Sequence, residues 1–330
     1  MGSLEGVEAA PRCPCCGGRG ARPRYRLSFG TVRECEACGN AFLERTDART
    51  TVEANEEFSL SEWRRTRLFD LPFSRRRARA RLRKLASGLN GGRILELGCG
   101  DGSFLHEARR AGHDVLGLDT QPNQLRANAT AAVIGDACRL PFGRAFAAVA
   151  GFHVFEHVDE PRLFLRSVRD VLGPGGLLYL EVPNYGCLWR RLRGRRWADF
   201  YPYHPVLYSR RGLRRALGDQ GFRVISIWAR ETGWDVLGHH YFGLRNALWG
   251  ALARRGRHAG GEVGTSHGAA AAPPPEQPPT RLRLALYRCE GSLLRAVTGT
   301  VLALVTVPLS LLGLASRLSV IATVEAGGTP

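Results

Sequence analysis

The chain has 330 residues, 44% of them hydrophobic, and carries 47 Lys+Arg against 30 Asp+Glu for a formal net charge of +17. The apolar share supplies a sizeable core, and the length allows one enlarged domain or two. Arginine carries almost all of the positive charge, with Lys84 as the single lysine, so the surface is drawn to nucleic acid, anionic lipid or acidic substrates. Nine cysteines are an odd number, and several fall in strand-like apolar runs, which excludes a simple disulfide framework and fits a reducing cytoplasm. The opening MGSLEGVEAAPRCPCC has no apolar signal core, and Gly6 stands where a myristoylation motif needs Ser or Thr.

The first element is a pair of cysteine knuckles. Cys13-x-x-Cys16 and Cys35-x-x-Cys38 are separated by eighteen residues, each pair followed by a glycine, Gly17 or Gly39. This is the spacing of a structural zinc ribbon, in which four thiolates close a tetrahedral site. Between the pairs, RPRYRLSFGTVREC alternates as a short hairpin does. Residues 1–45 are therefore expected to hold Zn2+ through Cys13, Cys16, Cys35 and Cys38, with Cys15 as a thiol able to replace one ligand. A basic helical segment over 46–92 follows, ended by the breaker Asn90-Gly91-Gly92.

From residue 93 to 231 strands and helices alternate. Strands are expected at RILELG, HDVLGLD, AAVIGD, FAAVAGFHV, LLYLEVP and FRVISIWARE. Helices are expected at GSFLHEARRAG, PNQLRANA, PRLFLRSVRDVLGPGG and SRRGLRRALGDQG, the last capped by Ser209. Such alternation implies a parallel sheet covered on both faces. Over 232–316 the pattern changes to an amphipathic helix at 239–258, a low-complexity linker at 259–279 and an apolar run at 296–316. RLSVIATVEA, in the closing segment 317–330, reads as a last strand.

The loop in ILELGCGDGSFL spaces Gly98, Gly100 and Gly102 as G-x-G-x-G, tighter than a dinucleotide loop, and Glu96 stands just before it, where it would repel a phosphate. The ligand is expected to be cationic. Asp119 ends the next strand, placed to accept both hydroxyls of a ribose, and Asp136 ends the third, placed to accept from an exocyclic amine.

Together ILELGCGDGSFL, VLGLD, GDACRLPF, FHVFEHVDEP and LGPGGLLYLEVPN resemble the class I S-adenosylmethionine-dependent methyltransferases, in particular the subfamily of quinone and sugar methyltransferases. The resemblance covers about residues 93–231 plus the last strand. It implies an α/β, Rossmann-like, seven-stranded and mostly parallel sheet with helices on both faces, a small N-terminal zinc ribbon, and a helical apolar insertion before the last strand, which enters the sheet beside the sixth. It also implies that Glu96, Gly98, Gly100 and Gly102 approach the methionyl part and sugar of S-adenosylmethionine, that Asp119 holds the ribose, and that Asp136 with Ala137 contacts adenine. Ala147 departs from the acid common at that point of the family.

On the acceptor side, His153, Glu156 and His157 cluster at a strand end, and His204 with Tyr208 precedes the Ser209 helix. His153 and His204 are the candidate general bases for a hydroxyl acceptor. Glu156 and His157 are also readable as a cap and buttress of the turn, and a divalent metal held by the two is a further alternative. Leu188–Tyr203 interleaves Arg with Trp, Phe and Tyr, as a lid over the acceptor, an RNA-contacting loop, a headgroup-contacting loop, or aromatics packed on the core.

The run 296–316 holds no charge in 21 residues, but Pro308 interrupts it, and the last strand must rejoin the sheet. A hairpin dipping into one leaflet satisfies both, with a single span or packing on the sheet as alternatives. The sequence reading is a cytoplasmic methyltransferase at the inner membrane face, acting on oxygen or carbon of a small-molecule or lipid-linked acceptor. Its rivals are an RNA methyltransferase and a non-catalytic S-adenosylmethionine-binding module.

Overall fold

The computed structural model describes residues 11–46, 74–121, 131–231 and 304–324. The chain divides into two compact units, Met1–Arg230 with Leu312–Pro330, and Glu231–Leu311. The expected helix at 122–129, the amphipathic helix at 239–258, the linker at 259–279 and the start of the apolar run lie outside the described residues. So do the first part of the basic segment and the tail.

The N-terminal strands β1 (Ala21–Leu27) and β2 (Gly30–Cys35) form the expected antiparallel hairpin, and a third strand, β3 (Ala41–Arg45), continues it. Helix α1, residues 74–86, is the described part of the basic segment. It buries Ala78, Leu82 and Leu85 in the main core.

Next come β4 (Arg93–Leu97), α2 (Ser103–Arg110), β5 (Val115–Asp119), β6 (Ala132–Ile134) and β7 (Phe146–Phe152). They are followed by α3 (Pro161–Val171), β8 (Leu172–Pro183), α4 (Leu188–Arg193), β9 (Val206–Leu207), α5 (Arg210–Gly218) and β10 (Phe222–Arg230). Short helix α6 (304–311) and β11 (Arg317–Val324) complete the described elements.

β4 is buried on both faces, with Ile94, Leu95 and Leu97 fully enclosed, as a central parallel strand must be. α3 starts with Pro161, whose missing N–H costs nothing in a first turn, and buries Phe164, Leu165, Val168 and Val171 on one stripe. α5 is capped as expected, Ser209 Oγ accepting from Gly212 N at 3.0 Å.

The main sheet has seven strands in the order β10-β11-β8-β7-β4-β5-β6. The pairs β4–β5, β5–β6, β4–β7 and β7–β8 are parallel. β11 is antiparallel to both β8 and β10, so the last strand of the chain fills the slot beside the sixth core strand. The expected sheet is the observed one.

Two local expectations change, and two strands appear that were not expected. The helix read through LGPGG ends at Val171, and Leu172 already pairs with Phe146 before a register shift to Leu177. Pro174 has no N–H to continue a helix, so the chain turns into the sheet instead. Pro308 does not interrupt its segment. It lies inside α6, where the N–H it lacks would have met the first carbonyl of the described helix. Strands β3 and β9 are too short to stand out in sequence, yet they pair antiparallel, Ala41 with Leu207 and Phe42 with Val206. They extend the ribbon sheet as β1-β2-β3-β9.

No described helix is long and apolar enough to cross a membrane. Leu304, Val305, Val307 and Leu311 on α6 are nevertheless exposed.

Candidate active site

The glycine loop follows β4 at the carboxyl edge of the parallel strands, where open α/β sheets place ligands. All three glycines have positive φ, 61° at Gly98, 48° at Gly100 and 69° at Gly102. At Gly98 a side chain has no room, because a Cβ there would lie 2.0 Å from Val154 Cγ2. The loop is pinned to the end of β5. Asp119 Oδ2 accepts from Gly100 N at 2.9 Å, and its Oδ1 from Gln121 N at 3.0 Å. One carboxylate thus ties two of the expected cofactor elements together, with lone pairs to spare.

Glu96 is buried, and its Oε2 has no hydrogen-bond partner among the described residues. Burial pushes its carboxyl well above the ordinary range, while the charge of Arg81 works in the other direction. An orphaned buried carboxyl beside a glycine loop fits a cationic ligand. Asp136 and Ala137 lie beyond β6, two and three residues past Ile134, which is in register with Asp119. Asp136 is exposed and its Oδ1 accepts from Cys138 N at 2.8 Å, a local turn.

On the acceptor side the chain turns sharply after β7. His153 has φ 59°, the one described non-glycine residue in the left-handed region, which costs on the order of 1–3 kcal/mol and so must be imposed by its surroundings. Its Nδ1 is 2.9 Å from Glu156 Oε1, and its Nε2 is 3.3 Å from Glu181 Oε1 and 2.8 Å from Arg317 Nη1.

Behind it Arg81 forms a buried ion pair with Glu181 and lies over the Phe152 ring, 4.2 Å from its centroid. Arg81, Glu181 and Arg317 escaped the sequence reading. Arg81 is one of many arginines in a basic segment, and Glu181 is one acid in an apolar strand. That Glu in the middle of LLYLEVP was the available signal, since a carboxylate in a central strand needs a partner.

His204 is enclosed. Burial first, then the neighbouring His157, pulls its imidazole down to about 3. Its Nδ1 donates to the Asp199 carbonyl at 2.8 Å. Tyr208 is also buried, stacked on Phe155 with ring centroids 4.6 Å apart, and its hydroxyl donates to the Phe155 carbonyl at 3.3 Å. In Leu188–Tyr203 the aromatics divide. Trp197 and Phe200 are buried in a second hydrophobic cluster with Val32, Ala41, Tyr185 and Leu207, so they join the ribbon to the core.

The ribbon cysteines converge. The sulfurs of Cys13, Cys16, Cys35 and Cys38 all lie within 4.8 Å of one another. Cys13–Cys38 and Cys16–Cys35 are 3.7 Å and 3.6 Å apart. Four thiolates about 2.3 Å from one zinc ion would sit about 3.8 Å from each other, so the spacing fits. The two knuckles are alike, Gly17 N donating to Cys13 O at 2.8 Å and Gly39 N to Cys35 O at 2.7 Å. Cys15 is outside this cluster, buried beside Tyr208 and Asn40.

Residues 65–227 match a family model described as a methyltransferase domain. Curated relatives include the ubiquinone biosynthesis O-methyltransferase of Cereibacter sphaeroides, 30% identical over 107 residues, with 28% of this chain and 41% of that protein covered. The protein of the same name from Sinorhizobium medicae is 29% identical over 107 residues, covering 29% and 43%. The match thus spans less than half the length of these relatives. Among solved structures, a SAM-dependent methyltransferase from Archaeoglobus fulgidus aligns with TM-score 0.46 and 19% identity, over 78% of this chain and 98% of that one. The seven-stranded sheet with its reversed last strand, the glycine loop tied to Asp119, and the family match lead to one assignment: residues 65–227 are a methyltransferase domain of the class I S-adenosylmethionine-dependent kind.

Proposed function

We propose that this protein methylates a hydroxyl oxygen of a small, amphiphilic or lipid-linked acceptor at the inner face of the membrane, with carbon methylation of a similar acceptor as the alternative. The observation that carries the reading is His153, held at the carboxyl end of β7 between two carboxylates. S-adenosylmethionine, when bound, supplies an electrophilic methyl group on a sulfonium sulfur. The protein's own share is to hold reactants in line and to receive the acceptor's proton.

Glu96, the glycine loop, Asp119, Asp136 and Ala137 are assigned to the cofactor. His153 is assigned as the base: a proton taken on its ring is met by Glu156 or Glu181, each already within reach of a ring nitrogen. His204, the other candidate base, is held neutral and enclosed, which suits a fixed lone pair better than proton transfer with solvent.

The four clustered thiolates are assigned to a structural Zn2+, since a closed set leaves no position for chemistry. The relatives named as acting in ubiquinone biosynthesis support a small amphiphilic acceptor. Support for a membrane surface comes from the exposed apolar residues of α6 together with the net charge of +17.

Incubation with methyl-labelled S-adenosylmethionine and fractionated extract tests the acceptor. Label is expected in the lipid-soluble fraction, and label confined to RNA overturns the reading. His153→Ala is expected to lower kcat by about 100- to 10,000-fold while cofactor affinity stays as in the native protein. Full activity removes His153 as base. Asp119→Ala is expected to weaken cofactor binding by about 10- to 100-fold, the scale of one hydrogen bond to a charged group. Unchanged binding takes the ribose away from Asp119.

Glu96 adds a pH signature. Its raised carboxyl is protonated up to a pH well above the ordinary range, and a cationic ligand favours the ionised form. Cofactor uptake is therefore expected to release a proton between the ordinary and the raised value. Calorimetry in two buffers of different ionisation enthalpy reads this. The release disappears in Glu96→Gln, and identical release in native and variant protein rejects the assignment.

A further inference from the structure

The ribbon reaches the acceptor side at one point beyond its strand pairing with β9. β3 ends at Arg45, opposite Gly30 of β2, and Thr46 N still donates to the Phe29 carbonyl at 3.3 Å. The Arg45 side chain is only 16% exposed, and its partners lie outside the ribbon. Its Nη2 donates to Asp159 Oδ1 at 2.6 Å, and its Nη1 to the Pro202 carbonyl at 3.4 Å.

These two partners belong to the two segments that carry the acceptor-side histidines. Asp159 lies between the one-turn 3-10 helix Phe155–His157 and the start of α3, in the turn that begins at His153. Pro202 lies between Tyr201 and Tyr203, just ahead of His204.

The segments face each other through flat rings. His157 is stacked on Tyr203 with centroids 5.5 Å and planes 11° apart, and Tyr201 continues the column at 4.8 Å and 12°. His204 stands edge-on to His157, Tyr201 and Tyr203, at 80°, 83° and 89°. Stacked rings keep their separation, but one flat face accepts another at several offsets. The column alone therefore fixes the distance between the segments better than it fixes their sideways register. A guanidinium behaves differently, because its planar fork donates in set directions and carries charge. One such cation bonded to both segments removes the sliding freedom.

We infer that Arg45 is a positioning residue, by which the ribbon fixes the turn carrying His153 in register with the aromatic segment 199–204. On the methyltransferase reading above, on which this step rests, that register decides where an acceptor held against the segment stands relative to the His153 ring. Asp159 is 46% exposed, and ion pairs so open to water add little to global stability. The consequence of losing Arg45 therefore falls on alignment, where a displacement of about 1 Å can cost on the order of 100-fold in rate.

The test uses the full-length protein with Arg45→Met, Arg45→Lys and a control, Arg33→Met. The control strips an ion pair of similar exposure inside the ribbon sheet, Arg33 Nε to Glu44 Oε2 at 2.8 Å. Amide exchange is read over 153–160 and 199–204. Label transfer from methyl-labelled S-adenosylmethionine to the lipid-soluble extract fraction is read over a dilution series of extract, which separates plateau rate from half-saturation. Arg45→Met is expected to raise exchange in both segments and lower the plateau rate by about 10- to 100-fold, while melting temperature and cofactor affinity stay near native. Arg45→Lys, which keeps the charge but not the fork, is expected to fall between, and Arg33→Met to match native. Native exchange in Arg45→Met, raised exchange with an unchanged rate, or the same losses in Arg33→Met overturns the inference. Exchange does not depend on methyl transfer. Both segments loosened by Arg45→Met in a protein that transfers no label leave the clamp standing and sink the enzymatic reading, whereas transfer to lipid that Arg45→Met leaves untouched does the reverse.

Discussion

Arg81→Met is expected to destabilise the protein by about 3–5 kcal/mol, the usual penalty for stripping the partner from a buried charge. Glu181 is enclosed in a central strand, and burial alone would push its carboxyl up. Arg81 first, then His153, holds it well below the ordinary value, and Ser319 Oγ lies 3.4 Å from its Oε2. The sign of the pH dependence follows. In the native protein the pair contributes stability above the ordinary carboxylate range, and that stability is lost as pH falls through the depressed value. In the variant, burial dominates, so the loss instead appears as pH rises. Denaturant unfolding at pH 4 and pH 8 reads both. Arg81→Met combined with Glu181→Leu is expected to recover most of the stability, because an apolar pair of similar volume removes the unpaired charge. A single variant within about 0.5 kcal/mol of native, the scatter of ordinary surface changes, would show that the ion pair is not what holds α1 to β8.

On the zinc assignment proposed above, Cys38→Ser is expected to abolish metal binding at the ribbon, which in small zinc domains amounts to roughly 10–16 kcal/mol. The consequence should reach beyond the ribbon. β3 pairs with β9, Leu43 N donates to the Pro205 carbonyl at 2.9 Å, and Asn40 Oδ1 accepts from Ser209 N at 2.9 Å. Gly212 has to be glycine for that Asn40 contact, since a Cβ would lie 1.8 Å from Oδ1. Loss of the metal should therefore raise amide exchange across residues 197–209 and lower acceptor turnover. Cofactor affinity should stay near native, because the glycine loop is tied to Asp119 within the core. Cys15→Ala is expected to keep the metal. Unchanged exchange over 197–209 in a metal-free Cys38→Ser protein would break the link between ribbon and acceptor segment.

The parts legible in sequence are those whose physics is local. A run such as RILEL, apolar on both faces, has to be a central strand. A glycine loop with an acid before it limits the charge of what can approach. Paired cysteines at fixed spacing have one economical partner. The resemblance these motifs carry placed the last strand beside the sixth, and the structure adds that it runs antiparallel to both neighbours.

Pairings between distant segments were not legible. Two residues of β9 become a strand only because β3 lies beside them, and Trp197 and Phe200 become core rather than lid because the ribbon covers them. Arg81 reads like its neighbours until the fold encloses it against Glu181.

The amino-acid sequence by itself determined the parallel sheet, the glycine loop and the cysteine cluster, because periodicity, backbone freedom and ligand spacing act over a few residues. Tertiary structure alone decided which charges are buried, which histidine faces carboxylates, and how the ribbon holds residues 197–209. Burial and charge pairing depend on what lies across the fold, a hundred residues away in the chain for Arg81 and Glu181.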